Sequence, residues 1–309
     1  METTTLGRTG LRVTTAGLGC GGFSRIGINN GLDHAAGIVR AAYDEGVTFF
    51  DTAAVYTTQP AVGKGLRGIS RDSYVLSTKF AYADMEGNIT AKDMQKSLER
   101  SLNELETDYV DVFHIHGLVA QDYERARDTL VPALQRAKSD GKIRFMGVTE
   151  RFAEDTEHEM LQTALKEDLF DVIMVGHNIL NPSATQRVFP LSTKNDLGVL
   201  CMFAVRRALW NREQLETDIA RILKAGQGGD SLDAGSLDFL TAESIAATLP
   251  EAAYRFARHT PGITVTLTGT SNPAHLKDNL RSLSLPPLPA QALERLQALF
   301  GKVDCVSGQ

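Results

Sequence analysis

Tyr109-Val110-Asp111-Val112-Phe113-His114-Ile115-His116 is a short apolar, β-branched run closed by polar residues, the pattern of a buried parallel strand. Seven similar runs stand at residues 13–19, 47–51, 74–79, 143–148, 171–177, 198–204 and 264–269. Taken in chain order, the eight starts lie 34, 27, 35, 34, 28, 27 and 66 residues apart. A strand with its returning helix needs roughly 30. The stretches between them read as helices. Leu32, Ala36, Val39 and Tyr43 recur at helical spacing before a stop at Gly46, and Thr90 opens a helix carrying Met94, Leu98, Leu102 and Leu105 on one face. Pro132 suits the first turn of a third helix that ends at Gly141, and Ala164-Leu165 closes a fourth. Eight such units favour a closed (β/α)8 TIM barrel over an open doubly wound sheet. Residues 1–309 then form one domain. Ahead of the barrel, residues 4–6 and 11–13 flank Gly7-Arg8-Thr9-Gly10, a β-hairpin placed to plug one end. The last gap holds an insertion at about 207–240, with a helical stretch at 211–224 and the loop Gly226-Gln227-Gly228-Gly229. It reads either as a lid or as a peripheral excursion, and extra C-terminal helices complete the fold.

Composition narrows the class. Of 309 residues, 42% are hydrophobic and 23% charged, as in ordinary globular domains. The longest uncharged apolar run is about eight residues, at 198–205, against the ~20 of a membrane span. Net charge is −6, without a basic run, which argues against nucleic-acid or anionic-membrane partners. Cys20, Cys201 and Cys305 are odd in number and widely spaced, and residues 1–5 show no signal-peptide pattern. A cytoplasmic protein without disulfides is expected. Oligomeric state is not readable.

In a barrel, polar residues at the carboxyl ends of strands share one mouth. Asp51, Lys79 and His116 end three of the runs, and Tyr56 follows the first of these by five residues. A free phenol has a pKa of ~10, and a neighbouring ammonium lowers it. A carboxylate holds that ammonium in place, and a histidine can donate to a substrate carbonyl. Such a tyrosine is suited to protonate a carbonyl oxygen.

Val47-Thr48-Phe49-Phe50-Asp51-Thr52-Ala53-Ala54-Val55-Tyr56 resembles the signature of the aldo-keto reductase family. Ser77-Thr78-Lys79, residues 108–116, 141–148, the opening hairpin at 6–13 and Gly269-Thr270-Ser271-Asn272-Pro273 with Asn279 resemble further family motifs in order. The resemblance spans residues 4 to about 285. It implies a tetrad of Asp51, Tyr56, Lys79 and His116, with Tyr56 as proton donor. It also implies NADPH bound across the barrel mouth, NADH being the alternative, and reduction of a small-molecule aldehyde or ketone. Members that act as cofactor-sensing regulatory subunits of channels offer a second reading of the same fold.

Cofactor contacts carried over by position are Gly21, Thr149, Glu150, Met174, Met202, Phe203, Ala204, Arg206, Arg207, Gly269, Thr270, Ser271, His275, Asp278 and Asn279. Several depart from the family. Thr149-Glu150 stands where Ser-Asn usually meets the carboxamide, and Met174 where a glutamine does. Met202 replaces the stacking aromatic, which a one-residue shift would supply as Phe203. Arg206 and Arg207 suit a pyrophosphate. Lys277 and Arg281 are candidate partners for a 2′-phosphate, near His275. Gly17-Leu18-Gly19-Cys20-Gly21-Gly22 fits G-x-G-x-x-G, but no helix pattern starts at its third glycine, so it reads as a mouth loop. His114 and His116 have a spacing that also suits zinc; no aspartate on the eighth run completes a metal site, none is expected, and His114 reads as a packed barrel histidine.

Overall fold

The protein is described here by a computed structural model covering residues 1–82 and 89–309. β1 (Thr3–Thr5) and β2 (Arg12–Thr14) pair antiparallel as the hairpin. β3 (Ala16–Gly19), β4 (Phe49–Asp51), β5 (Val75–Ala81), β6 (Val110–Leu118), β7 (Ile143–Glu150), β8 (Val172–Gly176), β9 (Gly198–Met202) and β10 (Val265–Thr268) pair parallel in chain order, and β10 closes the barrel on β3. The run at 13–19 therefore serves two strands, not one. Thr15 separates them, its N–H donated to the Glu2 carbonyl at 3.1 Å. The residues before it need an antiparallel partner and those after it a parallel one, so the chain changes sheets there.

α1 (Leu32–Asp44), α2 (Gln59–Leu66), α3 (Ala91–Leu105), α4 (Tyr123–Ser139), α5 (Glu159–Glu167), α6 (Ala184–Arg187) and α7 (Phe189–Lys194) return the chain between β3 and β9. α3 starts where its sequence indicates: Thr90 and Asp93 form a reciprocal capping box. α4 does not. It begins at Tyr123 and runs through Pro132, which lies inside the helix rather than in its first turn. Proline removes one N–H and crowds the preceding turn. Here Ala126, Leu130, Val131, Ala133, Leu134 and Ala137 of the same helix are buried, and that packing overrides the local penalty.

The barrel interior is apolar below and polar above. Phe49, Val75, Val112, Val172, Leu200 and Val265 fill it together with Leu6, Leu11 and Val13 of the hairpin segment. Gly7, at φ +48°, lies so close to β9 that an added Cβ would sit 2.4 Å from the Gly198 nitrogen. Leu6 occupies the space that a side chain at Gly198 would need.

After β9 come α8 (Arg212–Lys224), α9 (Phe239–Ala242) and α10 (Leu249–His259); α11 (Pro273–Ser284) and α12 (Ala290–Phe300) follow β10. The insertion has an apolar core of its own. Leu209, Leu215, Ile219, Ile222, Leu237 and Leu240 pack with Leu296, Leu299, Phe300, Val303 and Val306. It is a packed wall beside the barrel mouth. Among the described residues no helix is long and apolar enough to cross a membrane.

Leu6 is fully buried. Leu6→Ala is expected to lower unfolding free energy by about 2–5 kcal/mol in chemical denaturation, since it empties a packed site at the barrel floor. A loss below about 1 kcal/mol would remove the hairpin from the folding core.

Candidate active site

Three of the tetrad side chains come from adjacent strands whose register sets their heights. Asp51 pairs in register with Ser77, and Lys79 with His114, along β4–β5–β6. Alternate residues share a strand face, so Asp51, Lys79 and His116 all point up the barrel. Lys79 Nζ donates to Asp51 Oδ2 at 2.5 Å and to the Thr52 carbonyl at 2.8 Å. Burial pulls the Lys79 ammonium down from its ordinary range and pushes the Asp51 carboxyl up, while their mutual attraction opposes both shifts.

Tyr56 reaches this pair from a short turn after β4. The turn ends at Thr57, in the left-handed region at φ +62°, and α2 then starts. Thr52 and Thr58 hydroxyls meet at 2.9 Å beneath it. Tyr56 OH and His116 Nε2 lie 3.2 Å apart, and Lys79 Nζ lies 5.2 Å from the phenol ring centroid. Burial, then the charge of Asp51, pushes the Tyr56 phenol well above its usual range, the reverse of the lowering expected from the neighbouring ammonium, so it keeps its proton at neutral pH. Burial, then Lys79, lowers His116 to about 3, so its imidazole is neutral. A protonated phenol beside a neutral imidazole and an ammonium forms a proton-donating site.

A cleft of about 1040 Å³ opens over Tyr56 and Asp51. Of the contacts expected from sequence, Gly21, Met174, Met202, Phe203, Ala204, Arg206, Arg207, Gly269, Thr270, His275, Asp278 and Asn279 line it. Thr149, Glu150 and Ser271 do not. The Thr149 hydroxyl accepts the Gly117 N–H at 2.8 Å, fixing a β6 bulge beside His116. Both Glu150 oxygens are taken inside the wall, by His158 Nδ1 at 2.9 and 3.0 Å and by the Gly176 N–H at 2.7 Å. The Ser271 carbonyl meets His34 Nε2 at 2.7 Å. Lys277 turns out to Glu45 at 3.4 Å, away from the cleft, whereas Arg281 lines it.

Phe203 takes φ +66° as the chain leaves β9. That turn stacks its ring on Phe152, with centroids 6.3 Å apart, and under the Arg206 guanidinium at 3.8 Å. Met202 stays on the inward face with Met174. Arg206 Nε is buried without a hydrogen-bond partner, and burial lowers this guanidinium to about 10. A cation in a cleft wall with one nitrogen left unpaired suits an anionic ligand. At the far end, an added Cβ on Gly269 would sit 2.5 Å from the Gly19 carbonyl, so the two loops meet there only through backbone. Sequence reading missed Thr248, Leu249, Pro250, Glu251 and Tyr254, which also line the cleft. The signal was present: Thr248-Leu249-Pro250-Glu251 is a helix-start pattern, and Thr248 Oγ1 caps Glu251 N–H at 3.2 Å. Trp210 and Phe23 stand exposed on the rim. His114, fully buried, bonds Ser77 at 3.0 Å, and among the described residues no cluster of acidic, histidine or cysteine side chains could hold a metal.

A barrel with this tetrad in its mouth defines a class. The aldo/keto reductase family model matches residues 17–300, and the chain belongs to that family. It is 33% identical over 154 residues to L-galactose dehydrogenase of Arabidopsis thaliana, and the match spans about half the length of each chain, 48% in both. An aldo-keto reductase of Bacillus halodurans, in its holo form, shares the fold with a TM-score of 0.75 at 24% identity, covering 98% of this chain and 97% of that one. An aldo/keto reductase of Klebsiella pneumoniae, solved with NADP and acetate, does so at 0.69 and 22%, covering 99% and 98%. Family and relatives together support oxidoreduction as the class of chemistry.

An added Cβ at Gly21 would lie 2.5 Å from Tyr56 Cε2. Gly21→Ala is therefore expected to displace the phenol and cut turnover at least tenfold, with stability changed by less than about 1 kcal/mol. Steady-state kinetics beside thermal denaturation checks this. Unchanged turnover would show that the ring does not need its present seat.

Proposed function

We propose that this protein reduces an aldehyde or ketone to the alcohol with a nicotinamide cofactor, NADPH by preference, and that Tyr56 delivers the proton. The observation that carries the reading is the convergence of Tyr56, His116, Lys79 and Asp51 beneath one open cleft. His116, neutral, is placed to share a hydrogen bond with the substrate oxygen and with Tyr56. Lys79 faces the phenol ring as a cation, and it stabilises the phenolate that remains after proton transfer. Asp51 and the Thr52 carbonyl hold that cation. When bound, the cofactor supplies the hydride. General acid catalysis of this kind contributes ~10²–10⁴-fold.

The cleft suits such a cofactor on its own residues. The Arg206 guanidinium, whose Nε has no partner, with Arg207 would meet a pyrophosphate, and the Gly269–Thr270 loop with Asn279 and Arg281 would meet the adenosine end. The NADP found in the Klebsiella pneumoniae relative supports the same assignment. Met174 and Met202 offer the nicotinamide a soft apolar floor.

Tyr56→Phe is expected to lower carbonyl reduction by about 10²-fold or more while leaving NADPH affinity, read by nucleotide fluorescence, within about twofold. Undiminished turnover would overturn the mechanism. Tight NADPH binding in the parent with no turnover of simple aldehydes would favour a cofactor-sensing role instead. Arg206→Ala is expected to weaken NADPH binding about tenfold or more by titration, because it removes charge-assisted hydrogen bonds. An unchanged Kd would move the pyrophosphate elsewhere.

A further inference from the structure

Beneath the tetrad lies a second polar chain that the reaction does not itself require. Ser77 Oγ is 2.7 Å from Asp51 Oδ1, and His114 Nε2 is 3.0 Å from Ser77 Oγ. All three side chains are buried. A hydroxyl carries one hydrogen, and an ionised carboxylate can only accept. Ser77 therefore gives its hydrogen to Asp51, and the remaining contact needs His114 to donate. The imidazole must carry its proton on Nε2, which leaves Nδ1 bare. Nδ1 is indeed buried without a partner, packed where residue 147 has no side chain: an added Cβ on Gly147 would lie 2.2 Å from it. Burial, then Lys79, holds the His114 pKa well below the usual histidine value, which favours the neutral ring.

We propose that His114 and Ser77 are positioning residues for catalysis: a one-way hydrogen-bond chain, His114 to Ser77 to Asp51, fixes the carboxylate that holds Lys79 as a cation beside Tyr56. Ser77 satisfies one Asp51 oxygen, so the other is left for the lysine alone. Without that bond the carboxylate becomes a stronger base, draws the shared proton away from Lys79 and weakens the positive field at the phenol. The ionisable neighbours of Tyr56 are Asp51 from β4, Lys79 from β5, His116 from β6 and Cys20 just after β3; Arg151, just after β7, acts through His116. His114 itself is faced by Lys79 and His116. Gly147 is part of the device, since only glycine there admits the ring.

The proposal rests on the reaction assigned above, and its test separates the two. In the oxidation direction Tyr56 must accept a proton, so kcat rises with pH. Ser77→Ala is expected to move that limb up by about one pH unit and to lower reductive kcat roughly tenfold, with KM for the carbonyl little changed. Ser77→Thr keeps a hydroxyl and is expected to restore the limb. His114→Phe keeps a ring over Gly147 without a donor, and should shift the limb in the same direction by less. Nitrogen-15 NMR of the unmodified protein reads the His114 tautomer, expected as Nε2–H, and carbon-13 NMR reads the Asp51 carboxyl, expected to move toward its protonated position in Ser77→Ala. Both readouts are independent of turnover. A protein that turns over no carbonyl or alcohol refutes the assigned reaction, whereas the two NMR readouts still decide this chain. An Nδ1–H tautomer, or superimposable pH profiles and Asp51 resonances in parent and Ser77→Ala, overturns the proposal.

Discussion

The contact between Lys79 and Asp51 is the constraint around which the upper barrel is arranged. Both side chains are withdrawn from water, and each buried charge carries a desolvation penalty of several kcal/mol. Such a pair persists only where further hydrogen bonds satisfy what the partner leaves open. Here the Thr52 carbonyl takes a second lysine hydrogen, and the Ser77 hydroxyl donates to the carboxylate. Neighbouring strands bring these groups together with no flexible segment between them. The positive charge that faces Tyr56 is thus held by the sheet itself.

The rest of the barrel makes this arrangement affordable. Below the polar layer the interior is hydrocarbon, closed at the floor by Leu6, Leu11 and Val13. The hairpin segment packs into the same apolar cluster as the strands that bear the site. On the opposite side the insertion and the last helix build a separate apolar cluster, which keeps the cleft wall in place where Arg206, Trp210 and Arg212 project. The Phe152–Phe203–Arg206 stack joins that wall to the barrel, and it explains how a left-handed backbone at Phe203 is tolerated: the ring gains two faces of contact there.

Much of this was legible in the linear sequence. The repeat of about thirty residues, the glycine and capping signals, and Asp51, Lys79 and His116 toward the carboxyl ends of strands, with Tyr56 five residues past Asp51, all report local rules: two residues per pleat, 3.6 per helical turn, one strand–helix unit per repeat. The misreadings have physical causes. Residues 13–19 look like one strand because apolarity does not record which partner a strand has. Pro132 looks like a helix start because propensity is blind to the packing of Leu130 and Leu134. Thr149 and Glu150 look free to meet a ligand because a side chain's donors and acceptors can be counted from sequence, but not who has already taken them.

That last distinction divides the two sources of information. The sequence by itself determined the barrel, its hairpin and the identity of the four residues at the mouth, since periodicity and motif spacing depend on neighbours along the chain. Tertiary structure alone decided which polar groups remain available. Gly117 claims the Thr149 hydroxyl from a separate strand, Gly176 and His158 claim Glu150, and Glu45 draws Lys277 away from the cleft. Arg206 is left with a buried nitrogen that no group satisfies. Hydrogen-bond partners are exclusive and short-ranged, so their allocation follows from which distant segments the fold brings within three ångströms of one another.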